Sequence, residues 1–160
     1  MSNPFFEPSP LPYGMPPFAE IRDEHYRPAF EKGMADQLEE IAAITASAEL
    51  PTFENTMIPL ERSGQLLDRV ATVFYNKSSA DSTDFTNELE EEIAPLLAAH
   101  SDAIKLDALL YWRISTIHDQ LDDLGLDPES RYLVERYYVE YTVAGAGLNE
   151  AEKARLREYN

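Results

Sequence analysis

Pro51-Thr52-Phe53-Glu54-Asn55-Thr56 connects two stretches of helical period, and its reading sets the fold. A loose polar linker would be the ordinary connector. This one begins with a rigid proline, carries an aromatic residue to bury, and then supplies helix-starting side chains in succession. Upstream, Asp23 to Ser47 is predicted as a helix, because Phe30, Met34, Leu38, Ile41 and Ile44 recur in steps of three and four. Pro28 marks its first turn or a kink, and Leu50-Pro51 ends the segment. Downstream, Thr52 or Asn55/Thr56 caps a helix running to about Ser79 through Leu60, Leu67, Val70 and Phe74, with Pro59 in its first turns.

The same periodicity continues outward. Asp81-Ser82-Thr83 reads as a turn and cap before a third helix through Phe85, Leu89, Ile93, Leu96 and Ile104, kinked at Pro95. Asp107 caps a fourth through Leu110, Ile114, Ile117, Leu121 and Leu124, closed by Gly125. Asp127-Pro128 opens a fifth, Glu129 to Ala144, whose tyrosines and valines surround most of its circumference. Such a helix is central, or touches something outside the chain. Gly145-Ala146-Gly147 ends it, and Asn149 caps a last helix with no stop signal before Asn160, as expected of a chain cut within an element.

Residues 1–20 hold Pro4, Pro8, Pro10, Pro12, Pro16 and Pro17, which exclude helix; Phe5, Phe6, Leu11 and Phe18 give this stretch apolar surface to bury. The expected architecture is all-α. It is an antiparallel bundle of about six helices over 21–160, truncated at its C-terminal end, with the Pro-rich arm 1–20 packed on it.

Charge restricts the partners. The 30 Asp and Glu against 13 Lys and Arg give a formal charge of −17. Nucleic acid and anionic membrane surfaces are disfavoured, since both require clustered Lys and Arg. Cysteine is absent, which excludes thiolate catalysis, Cys-based zinc sites and disulfides. MSNPFFEPSP lacks a basic and then apolar signal pattern, and a cytoplasmic location is the default.

No catalytic, cofactor-binding or metal-ligating residue emerges. His25, His100 and His118 do not form a His-Glu-x-x-His pair on one helix face. Glu90-Glu91-Glu92 point three ways on a helix. Asp119, Asp122, Asp123 and Asp127 lack the central Gly and final Glu of a calcium loop.

A family resemblance rests on ordered residues. Asn3-Pro4, Leu11, Pro16-Pro17-Phe18 and Ile21, then Glu24-His25 with Pro28-Ala29-Phe30, resemble the opening of the thimet oligopeptidase, oligopeptidase A and peptidyl-dipeptidase family of zinc metallopeptidases. Pro51 to Thr56 with Leu60-Glu61 and Gly64 is similar to that family's most recognisable N-terminal stretch. Val73-Phe74 and Asn76 continue the match, although Lys77 stands where Leu is more usual. Leu96, His100, Ile104, Leu109, Arg113, Ile114 and the Tyr-rich 131–147 follow in order, with the bacterial peptidyl-dipeptidases nearest.

The resemblance implies an all-helical body around a channel that admits short peptides, with zinc held by a His-Glu-x-x-His helix and a downstream Glu. No position of this chain matches those ligands. The chain is then expected to be part of the channel wall or lid, inactive alone and completed by a C-terminal catalytic lobe of the same polypeptide. The alternative is a stand-alone acidic helical interaction module using the Tyr-rich helix or the acidic face. A weaker rival is an unrecognised His/Asp metal site.

Overall fold

The computed structural model describes residues 3–157, and among them helix is the only regular element. In chain order these are a 3-10 turn at Pro12–Gly14, α1 (Asp23–Thr45), a π-helical turn (Phe53–Met57), α2 (Ile58–Glu61), α3 (Gln65–Ala80), α4 (Asp84–Lys105), α5 (Ala108–Asp119), α6 (Pro128–Ala144) and α7 (Glu150–Arg157). They form two compact units. The first combines the chain up to Glu39 with Gly64–Leu97; the second combines Glu40–Ser63 with the chain from Ala98 on. Each unit closes its own apolar core.

The first core is aromatic. Phe74 receives Phe30 edge-on at 5.4 Å and Tyr26 at 5.3 Å, and Phe5 lies 5.5 Å from Tyr26. Each such pair adds about 0.5–1.5 kcal/mol to the area buried. Phe5 is held through its backbone on both sides: its N–H donates to Asn3 Oδ1 at 3.1 Å, and its carbonyl accepts from Arg69 Nε at 3.1 Å. Asn3 Nδ2 in turn donates to the His25 carbonyl at 2.8 Å. Gly33 permits a close backbone approach in this unit, because a Cβ there would lie 2.8 Å from the Leu67 Cα.

The second core gathers Ile41, Ile44, Met57, Leu60, Ile114 and Val134, among others. Its helices α5, α6 and α7 start on side-chain caps, which satisfy otherwise orphaned N–H groups. Asp107 accepts from Leu110 N–H at 2.7 Å. Asp127 accepts from Glu129 and Ser130 N–H, with Pro128 at the first helical position. Asn149 and Glu152 cap one another's backbones at 3.0 and 3.1 Å. Gly145 ends α6 at φ +96°, where any Cβ would also meet Leu148 and Leu156 at 2.9 Å.

The all-α expectation holds, while two expected helix boundaries and two expected core positions differ. The second helix is not continuous to Ser79. It opens as a π turn, breaks after Glu61 and resumes at Gln65, with Gly64 at φ +75° absorbing the reversal. The fourth helix stops at Asp119 rather than near Gly125. Three-residue turns replace it, with Gln120 N–H bonded to the Ile117 carbonyl and Asp123 N–H to the Gln120 carbonyl, across Asp and Gly residues that favour helix weakly. Leu38 and Leu96, read as part of apolar stripes, are exposed; the first core closes without them.

Candidate functional site

In the second unit, the connector that the sequence singles out is a hydrogen-bonded knot. Thr52 is extended, and its hydroxyl accepts from Asn55 N–H at 3.1 Å. Asn55 Oδ1 accepts in return from Thr52 N–H at 2.8 Å. This reciprocal box fixes the first turn. Asn55 also reaches backwards, its Nδ2 donating to the Leu50 carbonyl at 2.9 Å. Both expected cap positions therefore act, one from each side of the turn.

Arg113 of α5 enters this knot from a distant part of the sequence and is 1% exposed. Nε donates to the Thr56 hydroxyl at 3.0 Å, and Nη2 to Asn55 Oδ1 at 2.8 Å. Nη1 donates to the carbonyls of Ser47 and Glu49 at 3.3 and 3.2 Å. Thr56 passes its own hydroxyl proton to Asn55 Oδ1 at 2.9 Å. The guanidinium stays charged at any ordinary pH, so its burial must be offset by acceptors. These four acceptors are all neutral dipoles, two of them loop carbonyls beyond the end of α1. The arrangement binds chain segments together and holds no nucleophile, acid or base.

Beside the knot lies an open groove of about 610 Å3. Ile44, Ile58 and Pro59 give it apolar surface, and Glu40, Glu54 and Arg62 give it charge of both signs. A second buried cation stands in the same unit. Lys153 is buried, with Nζ donating to the Leu106 carbonyl at 3.0 Å and paired electrostatically with Glu150 at 3.7 Å.

The histidines and clustered carboxylates make local structural contacts within their own units. His25 Nδ1 accepts from Arg22 N–H at 2.9 Å, at the start of α1. His100 is buried, and burial lowers its pKa from the ordinary 6.5. His118 stacks on Tyr138, ring centroids 3.8 Å apart. Glu90 accepts from the Ser78 hydroxyl at 2.9 Å, and Glu92 pairs with Arg27. Asp122 pairs with Arg131 at 2.8 Å, while Asp127 is held below the usual carboxylate range by the Ser130 hydroxyl and backbone bonds. Among the described residues no three His, Cys, Asp or Glu converge as a metal site. On α6, Val134 and Tyr141 are buried, and Tyr137 donates to Glu61 at 2.6 Å. Sequence reasoning did not foresee that Arg113 is buried. The signal was present: Arg113 shares the three-four spacing of Leu110, Ile114 and Ile117 on the inner face of α5.

No family model matches the chain. Individual sequences do. The dipeptidyl carboxypeptidase of Escherichia coli (strain K12) is 41% identical over 158 residues, and that of Salmonella typhimurium 42% identical over 159, in both cases 99% of this chain. Oligopeptidase A of Escherichia coli is 25% identical over 158 residues. The chain is thus related along nearly its whole length to peptidases. More narrowly, it corresponds to the N-terminal region of the dipeptidyl carboxypeptidase and oligopeptidase A family, at higher identity to the first group. It spans only 23% of the length of these relatives.

Proposed function

We propose that this chain is the N-terminal helical part of a cytoplasmic zinc-dependent peptidyl-dipeptidase that hydrolyses short peptides, and that it forms part of the wall of the substrate channel. The observation that carries this reading is the 41–42% identity over 99% of the chain to two dipeptidyl carboxypeptidases more than four times as long. The chain's own residues do not fit the zinc. The sequence has no His-Glu-x-x-His, and no three ligand-type side chains converge among the described residues. The metal and the reaction are therefore assigned to the remainder of the polypeptide, and no chemical step is assigned here. The contribution of this part is steric: helices fixed by internal knots such as that of Arg113 limit what enters and exclude bulk protein.

Zinc stoichiometry tests the assignment. After chelator washing and one equivalent of zinc, a polypeptide continued through the downstream coding sequence retains about one zinc per chain, and the 160-residue chain retains none. Tight stoichiometric zinc on the 160-residue chain contradicts the reading. A second reading, a stand-alone acidic interaction module, draws on the exposed apolar residues of α6. Among the described residues no helix is long and apolar enough to cross a membrane.

A further inference from the structure

Tyr132, Arg136, Val139 and Val143 follow each other on α6 at spacings of four, three and four. That is the spacing of a seam that receives another helix. It lies opposite the buried Val134 and Tyr141. Tyr132, Val139 and Val143 are 62%, 51% and 80% exposed. Valine is a poor residue for a solvent-facing helix position, since it loses side-chain freedom there and gains no burial. The seam is centred on a cation. Arg136 is exposed, and no ion pair to it is found among the described residues, in a chain with 30 acidic groups against 13 basic ones.

We propose that this seam seats an apolar helix from the remainder of the same polypeptide, one that places a carboxylate opposite Arg136. The inference rests on reading the chain as the N-terminal part of a longer peptidase, and it adds where the rest docks. The relatives' length leaves about three quarters of such a polypeptide to supply the helix. A second copy of this chain fits less well. Two-fold antiparallel pairing of the seam brings Arg136 close to its own counterpart, and each copy carries a formal charge of −17. A complementary acidic position removes the first conflict and needs no symmetry.

Thiol labelling of the longer polypeptide tests this. The 160 residues contain no cysteine, so Val139→Cys, Val143→Cys and the exposed control Ala48→Cys each add one reactive site to this segment, read by mass spectrometry of the peptide that carries it. Rates are taken in the native protein and in denaturant. Val139→Cys and Val143→Cys should label at least about tenfold more slowly than the control after that normalisation. Arg136→Glu should restore fast labelling at Val139→Cys, and Arg136→Lys should not. Labelling at the control rate overturns the proposal. Protection lost on dilution also overturns it, because the occupant is then a second copy. Peptidase activity measured on the same samples separates the two readings: an active polypeptide that labels freely removes the seam alone, and an inactive one that is protected removes the peptidase assignment alone.

Discussion

Asn55 and Arg113 stand 58 residues apart in sequence and are joined by a 2.8 Å hydrogen bond from Nη2 to Oδ1. That bond couples the π turn to α5. Replacing Arg113 by Met keeps the apolar stem and removes every donor. The Thr56 hydroxyl and the Ser47 and Glu49 carbonyls then lose a charged partner. The expected loss is about 2–4 kcal/mol in urea unfolding, seen as a lower midpoint at unchanged slope. Arg113→Lys recovers only part of it, because an ammonium cannot span the fork of acceptors. An unchanged midpoint for the Met variant contradicts the role given to Arg113.

The knot is shared, so its members should not act independently. Thr52→Ala removes one cap acceptor and should cost about 1 kcal/mol. Asn55→Ala breaks bonds to Thr52, Leu50, Thr56 and Arg113 and should cost more. The double variant Asn55→Ala with Arg113→Met should lose less than the sum of the singles, by about 0.5–3 kcal/mol. Simple additivity would show that the network is not a unit.

Gly33 reverses an ordinary rule. Gly to Ala inside a helix normally stabilises by about 1 kcal/mol. At Gly33 the new methyl would lie 2.8 Å from the Leu67 Cα and 2.9 Å from its nitrogen, and backbone cannot step aside. Gly33→Ala should destabilise by about 1–3 kcal/mol in thermal or urea unfolding.

Two groups of buried residues set the pH limits. Burial lowers the pKa of His100, so the unfolded chain takes up that proton first. Stability is therefore full above the unfolded value of 6.5 and falls as pH drops from there through the folded value. His100→Gln should flatten the pH 7 to pH 5 portion of the unfolding midpoint. At the alkaline end, burial raises Tyr141, and burial with the bond to Glu61 raises Tyr137. Their protonated forms stabilise fully below the ordinary 10.0, and that contribution is lost as pH climbs above it. Absorbance titration should show at least two fewer tyrosines ionising near pH 10 in the folded chain than in denaturant, since Tyr26, Tyr75 and Tyr138 are also raised, with the withheld tyrosines released at unfolding.

Local chemistry was legible in the sequence, and distant chemistry was not. Asp107, Asp127-Pro128, Thr52 and Asn149 announce helix starts, since a cap bonds to residues two or three positions away. The break at Gly64 was missed because the heptad-like apolar pattern runs through it unbroken, while a left-handed residue decides the path. The stop at Asp119 was missed for a related reason: Leu121 is buried whether helical or not, so periodicity continues past the true end. In the sequence Arg113 stands only as one of an ordered set of family-like residues. Its burial depends on acceptors 57 to 66 positions away, which no spacing rule reaches.

The most direct measurement is cleavage of a quenched fluorescent short peptide in the presence of zinc, comparing the 160-residue chain with a polypeptide continued through the downstream coding sequence. The account predicts turnover by the longer polypeptide, abolished by chelation, and none by the 160 residues at equal concentration. Equal chelator-sensitive turnover by the 160-residue chain, or an inactive longer polypeptide, would contradict it.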